Sequence, residues 1–347
     1  MKMDGEAMHI IDSHFHWWPR SVLNKMCART DFPISKPNDR GGYTTTLRSD
    51  IDCVLNGGAE WYDLDAQFQY MDTLGHQIDA VGSIGPFSVF FSALPKEEGR
   101  DLAILWNEEM SAAQRRHPGR FFASAAIPFQ DEKIAMDVLE DAVGRLGLIG
   151  VNLPGSIGAD PRIDAERLQP FYARCAELNL PVFIHPTDAM FNNMLNGYGG
   201  ALHSSLGRVV EVSVAAMRLV LSGTLERNPG LKIVMSHTGG ALPYQSGRMD
   251  KNTKGAQLPK PASHYLRNMF TDTVSPHAAG IRFAIDYYGI DNVMYGTDYP
   301  CWEPAECLAL LSEIELTDEQ KRKLYYDNAV RILNLPVRRA PVAVAAE

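Results

Sequence analysis

Short apolar runs recur along the chain at 9–16, 78–85, 121–128, 148–154, 181–186, 232–239, 269–274 and 292–300, most of them closing on Gly, Pro, His or Asp. Runs of this length read as buried strands. The segments between them carry the 3.6-residue spacing of amphipathic helices. In 62–74, Leu64, Phe68, Met71 and Leu74 fall on one stripe, and 102–116, 132–146, 167–178, 278–288 and 304–313 repeat the pattern. The stretch 205–227 predicts a longer apolar helix, and 240–266 looks irregular, with one short helix near 241–249. A last helix spans 317–333, where Thr317 and Gln320 have the spacing of a capping box. Strands alternating with helices imply a parallel sheet with right-handed crossovers, and eight such units favour an α/β fold closed as a (β/α)8 TIM barrel.

Two regions break the rhythm. Residues 17–61 hold Pro19, Pro33, Pro37 and the Gly41-Gly42 pair. They are too long for a simple strand-to-helix loop and predict an insertion after the first strand, lying over the barrel mouth. Residues 336–347 predict a flexible tail. No linker or composition shift divides 1–335, which reads as one barrel domain.

Composition narrows the class without naming the chemistry. Of 347 residues, 45% are hydrophobic and 22% charged, the balance of a soluble globular chain. No apolar run reaches membrane-spanning length, and the opening residues, with Asp4 and Glu6, lack a secretory layout, so no membrane partner is expected. Five cysteines with no CxxC pair argue against a disulfide framework or a thiolate zinc site and predict a cytoplasmic protein. The net charge of −9 disfavours nucleic acid but leaves room for a small anionic substrate held by buried arginines.

The chemistry gathers at the strand ends. Residues two apart on a strand share a face, so His14 and His16 project together while Phe15 points away. Further strands end in His185, His237 and Asp298. In a barrel enzyme the C-terminal strand ends form the active face, so four strands bring these five side chains to one mouth. Three histidines and one carboxylate suit zinc, and spacing leaves open which histidine stands off the metal. Trp17 and Trp18, directly after the HxH pair, and Trp302, after Asp298, are placed to wall a pocket for a planar substrate, with Trp18 equally suited to packing beneath the insertion. Asp272, at the end of the seventh strand, is placed to orient a ligand histidine from behind.

As a set, Asp12-Ser13-His14-Phe15-His16, Ala125-Ala126-Ile127-Pro128, Gly147-Leu148-Ile149-Gly150-Val151, Ile184-His185-Pro186, Ser236-His237-Thr238-Gly239-Gly240, Tyr295-Gly296-Thr297-Asp298-Tyr299-Pro300 and Asn328-Ala329-Val330-Arg331-Ile332-Leu333 resemble the amidohydrolase superfamily. Within it they are similar to the branch of aminocarboxymuconate-semialdehyde decarboxylase and related aromatic-acid decarboxylases. The resemblance runs from about His9 to Leu335. It implies His14, His16, His185 and Asp298 as ligands of one divalent ion, Zn2+ or alternatively Mn2+, and His237 as the free acid–base group. The fourth strand, Gly150-Val151-Asn152-Leu153, lacks the lysine that bridges two metals in other members. Arg248 corresponds to an arginine that reaches the neighbouring subunit's site and so implies a homodimer, and Arg48 in the insertion is the candidate second carboxylate clamp. The expected activity is zinc-dependent, non-oxidative decarboxylation of a planar unsaturated or aromatic carboxylic acid. The alternative is a hydrolase using the same metal on a lactone, amide or ring-cleavage product.

Overall fold

The computed structural model describes residues 7–336 apart from 53, 159, 189, 192, 254 and 256, so the tail expected at 336–347 lies, beyond its first residue, outside the described residues. Strand β1 (His9–His16) leads into the insertion, which forms its own antiparallel sheet of β2 (Ile34–Pro37), β3 (Tyr43–Thr46) and β4 (Val54–Gly57). Strands β5 (Gln77–Ser83), β6 (Phe121–Ala125), β7 (Gly150–Pro154), β8 (Pro181–His185), β9 (Lys232–Met235), β10 (Phe270–Asp272) and β11 (Val293–Met294) then follow β1 in order around an eight-stranded parallel sheet.

The last strand closes on the first. Ser13 N donates to Tyr295 O at 2.9 Å, His16 N to Tyr299 O at 2.8 Å, and Asp298 N to His14 O at 2.7 Å. Asp12 reinforces this seam. Its buried carboxylate accepts from His14 N at 3.1 Å, Thr297 N at 3.1 Å and Thr297 Oγ1 at 2.5 Å. Burial pushes the Asp12 carboxyl up to about 7, and those donors pull against the shift.

Parallel strands covered on both faces need apolar residues at both parities. Ile11, Val81, Phe122, Phe183, Val234 and Met294 fill the barrel interior with Ile332, Leu333 and Leu335. Lys232, at the start of β9, donates to Ile332 O at 2.9 Å, which places that C-terminal helix (Asn328–Ile332) at the end of the barrel opposite the site. Ile10, Ile78 and Phe121 pack outward under the helices, and Phe15 joins them because the register of β1 shifts between Asp12 and Phe15.

The insertion forms this small sheet despite its Pro and Gly content. Its first turn is an Asx turn, in which Asn38 Oδ1 accepts from Arg40 N at 3.1 Å and Gly42 N at 3.0 Å. Thr44, Thr45 and Thr46 supply β-branched strand residues, and Ser35 bonds Thr45 across the pair at 2.8 Å. The stretch 205–227 also divides: the helix Arg208–Leu221 ends before Gly223 at φ 75°, and Thr224–Arg227 follows.

If Asp12 closes the barrel, Asp12→Ala strands three buried donors and lowers unfolding stability by about 3 kcal/mol, with Asp12→Asn losing less. Chemical denaturation of the metal-free protein checks this, and native stability of the alanine variant would contradict it.

Candidate metal centre and active site

At the mouth, β1 presents His14 and His16 inward with ring centroids 5.1 Å apart, while Phe15 turns out onto Phe68 and Tyr299. His185 closes β8, and its ring centroid lies 5.2 Å from His14 and 5.3 Å from His16. His237 follows β9 in a tight turn, and Asp298 follows β11. The donor atoms of His14, His185, His237 and Asp298 all lie within 4.8 Å of one another. His16 Nε2 is 2.8 Å from Asp298 Oδ1, His14 Nε2 is 3.3 Å from the same oxygen, and His237 Nε2 is 3.6 Å from Oδ2. All five side chains expected at the mouth therefore meet there.

Local backbone geometry is the means. His237 and Thr238 have φ of 55° and 53°, and Asp298 has φ of 63°, values that L-residues hold only when their surroundings fix them. Asp272 supplies much of that fixing. Its buried carboxylate accepts from His237 N at 3.3 Å, Thr238 N at 3.1 Å and Val274 N at 3.0 Å, and faces His14 Nδ1 at 2.7 Å. Gly239, at φ 79°, completes the turn where an added Cβ would sit 2.0 Å from the Tyr288 hydroxyl.

Hydrogen bonding sets the imidazoles apart. His14 Nδ1 faces Asp272, His16 Nδ1 faces the Ser83 carbonyl at 3.2 Å, and His185 Nδ1 faces the Pro186 carbonyl at 2.7 Å. Each ring therefore has an outward acceptor for one proton and turns Nε2 inward. The inward Nε2 atoms of His14 and His185 have no hydrogen-bond partner among the described residues. His237 differs: its Nδ1 is buried without such a partner. Ligating histidines characteristically donate their other nitrogen to an acceptor, and His14, His16 and His185 do so here. Converging nitrogen lone pairs and a carboxylate form a donor set that fits a divalent cation.

The charges agree. Burial works against a charged His14, yet Asp272 on one nitrogen and Asp298 on the other push its imidazolium up to about 10. Burial, only partly opposed by Asp298, lowers His16, and burial with the neighbouring histidines holds His185 well below the usual range. Burial opposes ionisation of Asp298, but His14, His16 and His237 keep its carboxyl well below the usual range. In the metal-free protein a proton on His14 thus stands where a cation's charge would.

Strand β7 carries Asn152 and no lysine. Asn152 is fully engaged, donating to Ser124 Oγ at 2.8 Å and Ala125 O at 2.9 Å and accepting from Ile84 N at 3.3 Å. Of the tryptophans, Trp17 turns onto Phe121 at 6.0 Å, whereas Trp18 and Trp61 stack 4.1 Å apart beside His16. Trp18 is fully buried, packed on Trp61 and Phe87, so it backs the wall that Trp61 presents. Trp302 is half-buried after Asp298. Arg48 is engaged by its near neighbour Asp50 at 2.8 and 2.5 Å, and Arg248 lies exposed on the helix Leu242–Asn252. Sequence periodicity also missed Glu211, buried on the apolar helix Arg208–Leu221. It accepts from Thr187 N, Asp188 N and Thr187 Oγ1 and so pins the loop behind His185.

Metal uptake must displace the His14 proton. Apparent affinity is therefore expected to rise by about tenfold per pH unit between about pH 6 and 8. Asp272→Ala weakens binding by about 10–100-fold and flattens that slope, because it removes one of the carboxylates holding the proton. Calorimetric titration of the metal-free protein measures both, and a pH-independent affinity in the native protein would contradict the assignment.

Known proteins share this architecture. The gamma-resorcylate decarboxylase of Rhizobium sp. (strain MTP-10005) is 25% identical over 287 residues, covering 78% of this chain and 87% of that protein. The 2-amino-3-carboxymuconate-6-semialdehyde decarboxylase of Dictyostelium discoideum is 24% identical over 282 residues, covering 79% and 77%. The crystal structure of 5-carboxyvanillate decarboxylase from Novosphingobium aromaticivorans, complexed with manganese and 4-hydroxy-3-methoxy-5-nitrobenzoic acid, has the same fold, with a TM-score of 0.80 at 21% identity over 95% of this chain and 97% of that one. Residues 11–335 match the amidohydrolase family, and with these relatives the chain belongs to that family, in the branch of aminocarboxymuconate-semialdehyde decarboxylase.

Proposed function

We propose that the protein is a zinc-dependent, non-oxidative decarboxylase of a planar unsaturated or aromatic carboxylic acid. His14, His16, His185 and Asp298 hold the ion, and His237 is the acid–base group. The observation that carries this reading is the set of outward acceptors on His14, His16 and His185, matched by none on His237 Nδ1 among the described residues. Zinc suits three imidazoles and a carboxylate, and manganese, present in the solved relative, is the other candidate. The fully bonded Asn152 supports a single ion. Free thiols at Cys27, Cys175, Cys301 and Cys307 suit a reducing cytoplasm, and no helix among the described residues is long and apolar enough to cross a membrane.

A bound divalent ion supplies Lewis acidity that polarises substrate oxygens. The chain's residues do the rest. His237, within reach of Asp298, transfers a proton to the carbon bearing the carboxylate, which interrupts conjugation. The carbon–carboxylate bond then breaks, its electron pair returns to the conjugated system, and carbon dioxide leaves. Trp61, partly exposed and stacked 6.1 Å from the His16 ring, offers flat apolar surface for a planar substrate, with Trp18 packed behind it. The relatives compared above are named as decarboxylases, which favours this reaction over hydrolysis of a lactone or amide.

The exposed position of Arg248, on a helix that begins five residues after His237, suits a residue that serves a second subunit. We therefore assign it to the substrate carboxylate of the neighbouring chain in a homodimer, with Arg48 as the second clamp once Asp50 releases it.

His237→Ala is expected to keep about one ion per chain and to lose roughly two to four orders of magnitude in turnover. His16→Ala is expected to lose the ion. Elemental analysis and assay of an aromatic-acid panel decide this, and loss of the ion from His237→Ala would reverse the two roles. Mixing inactive Arg248→Ala and His237→Ala chains is expected to restore part of the activity, because one site of each hybrid dimer is intact. No recovery, with hybrids confirmed by mass spectrometry, would place Arg248 outside the neighbour's site.

A further inference from the structure

In a closed eight-stranded barrel the first and fifth positions lie opposite one another, and β1 and β8 occupy them. The insertion leaves β1, and the segment 186–207 leaves β8, so a bond between these two connections crosses the mouth. Among the described residues three such bonds form at the turn joining β3 to β4. Asp52 N donates to Asn196 Oδ1 at 3.1 Å, Asn196 Nδ2 donates to Asp50 O at 2.9 Å, and Gly197 N donates to Asp52 Oδ2 at 2.6 Å. Gly197 has φ of 107°, a conformation that favours glycine. Behind the contact, buried His203 brings Nε2 to 3.2 Å from Asn196 Oδ1 and to 3.9 Å from Asp52 Oδ1.

This contact is built to release. It is polar and partly exposed; on the insertion side Leu47 and Ile51 are buried in the core, whereas on the other side Met194 and Tyr198 are 73% and 84% exposed, so the stretch 193–200 is the side that releases. A segment held by a few solvent-exposed hydrogen bonds with little apolar burial opens at low free energy.

We propose that Asp52 is a positioning residue whose clasp on Asn196 and Gly197 shuts the stretch 193–200 against the insertion across the mouth over bound substrate. The proposal rests on the mouth being the active site. Closure of such a roof sequesters substrate and completes the site, so its loss acts first on substrate retention.

The test uses the full-length protein as purified, with Asp52→Ala, Asp52→Asn and Asn196→Ala. Chymotryptic cleavage after Tyr198, followed by mass spectrometry, reports opening without needing metal or substrate. Asp52→Ala, which loses the charge-assisted bond to Gly197 N, and Asn196→Ala, which loses two neutral bonds, are each expected to be cut about tenfold faster, and Asp52→Asn, which keeps an acceptor, by less. With an aromatic carboxylate that is turned over, KM is expected to rise about tenfold while kcat falls less, at unchanged Tm. Cleavage at the native rate in both alanine variants would overturn the proposal. Absence of turnover in every protein, native included, would count against the decarboxylase reading and leave the cleavage rates to decide on the clasp.

Discussion

Three imidazole nitrogens and one carboxylate are aimed at a common point, and that convergence organises the molecule. Buried lone pairs and a buried anion repel one another unless positive charge lies between them. In the metal-free protein the His14 imidazolium provides it, held up to about 10 by Asp272 and Asp298 against the effect of burial. A divalent cation answers the same demand with four donors at once, and that makes the cluster a metal site rather than a network of core histidines.

The barrel exists, in chemical terms, to make that arrangement affordable. Asp12 ties β1 to Thr297 and fixes the seam from which His14, His16 and Asp298 project. Asp272 does two jobs with one carboxylate: it orients His14, and it holds the His237-Thr238 turn in a left-handed backbone conformation. Glu211 pins the loop behind His185 through the backbone of Thr187 and Asp188. Buried carboxylates behind the site thus take up the strain that brings His237 and Asp298 into place.

Much of this was legible in the chain. Apolar runs ending in histidine or aspartate placed the eight barrel strands and the five residues at the mouth, because burial on both faces and a ligating terminus leave a plain signature. The insertion sheet was not legible, since its short strands of Thr, Ser and Asn have neither an apolar run nor a clean alternation. Glu211 was hidden in an apolar helix, where periodicity assigns a core position and says nothing of a polar network. Trp18 was legible from its place after the HxH pair, and its complete burial beneath the insertion is what the structure adds. The roles proposed for Arg48 and Arg248 involve loop closure and a second chain, which local sequence does not encode.

The most direct test is a crystal structure of the zinc-loaded protein with anomalous data collected at the zinc edge. The account predicts one ion per chain, with Nε2 of His14, His16 and His185 and a carboxylate oxygen of Asp298 at about 2.0–2.2 Å and His237 outside the coordination shell. Two ions per chain, or His237 bound in place of His16, would contradict it.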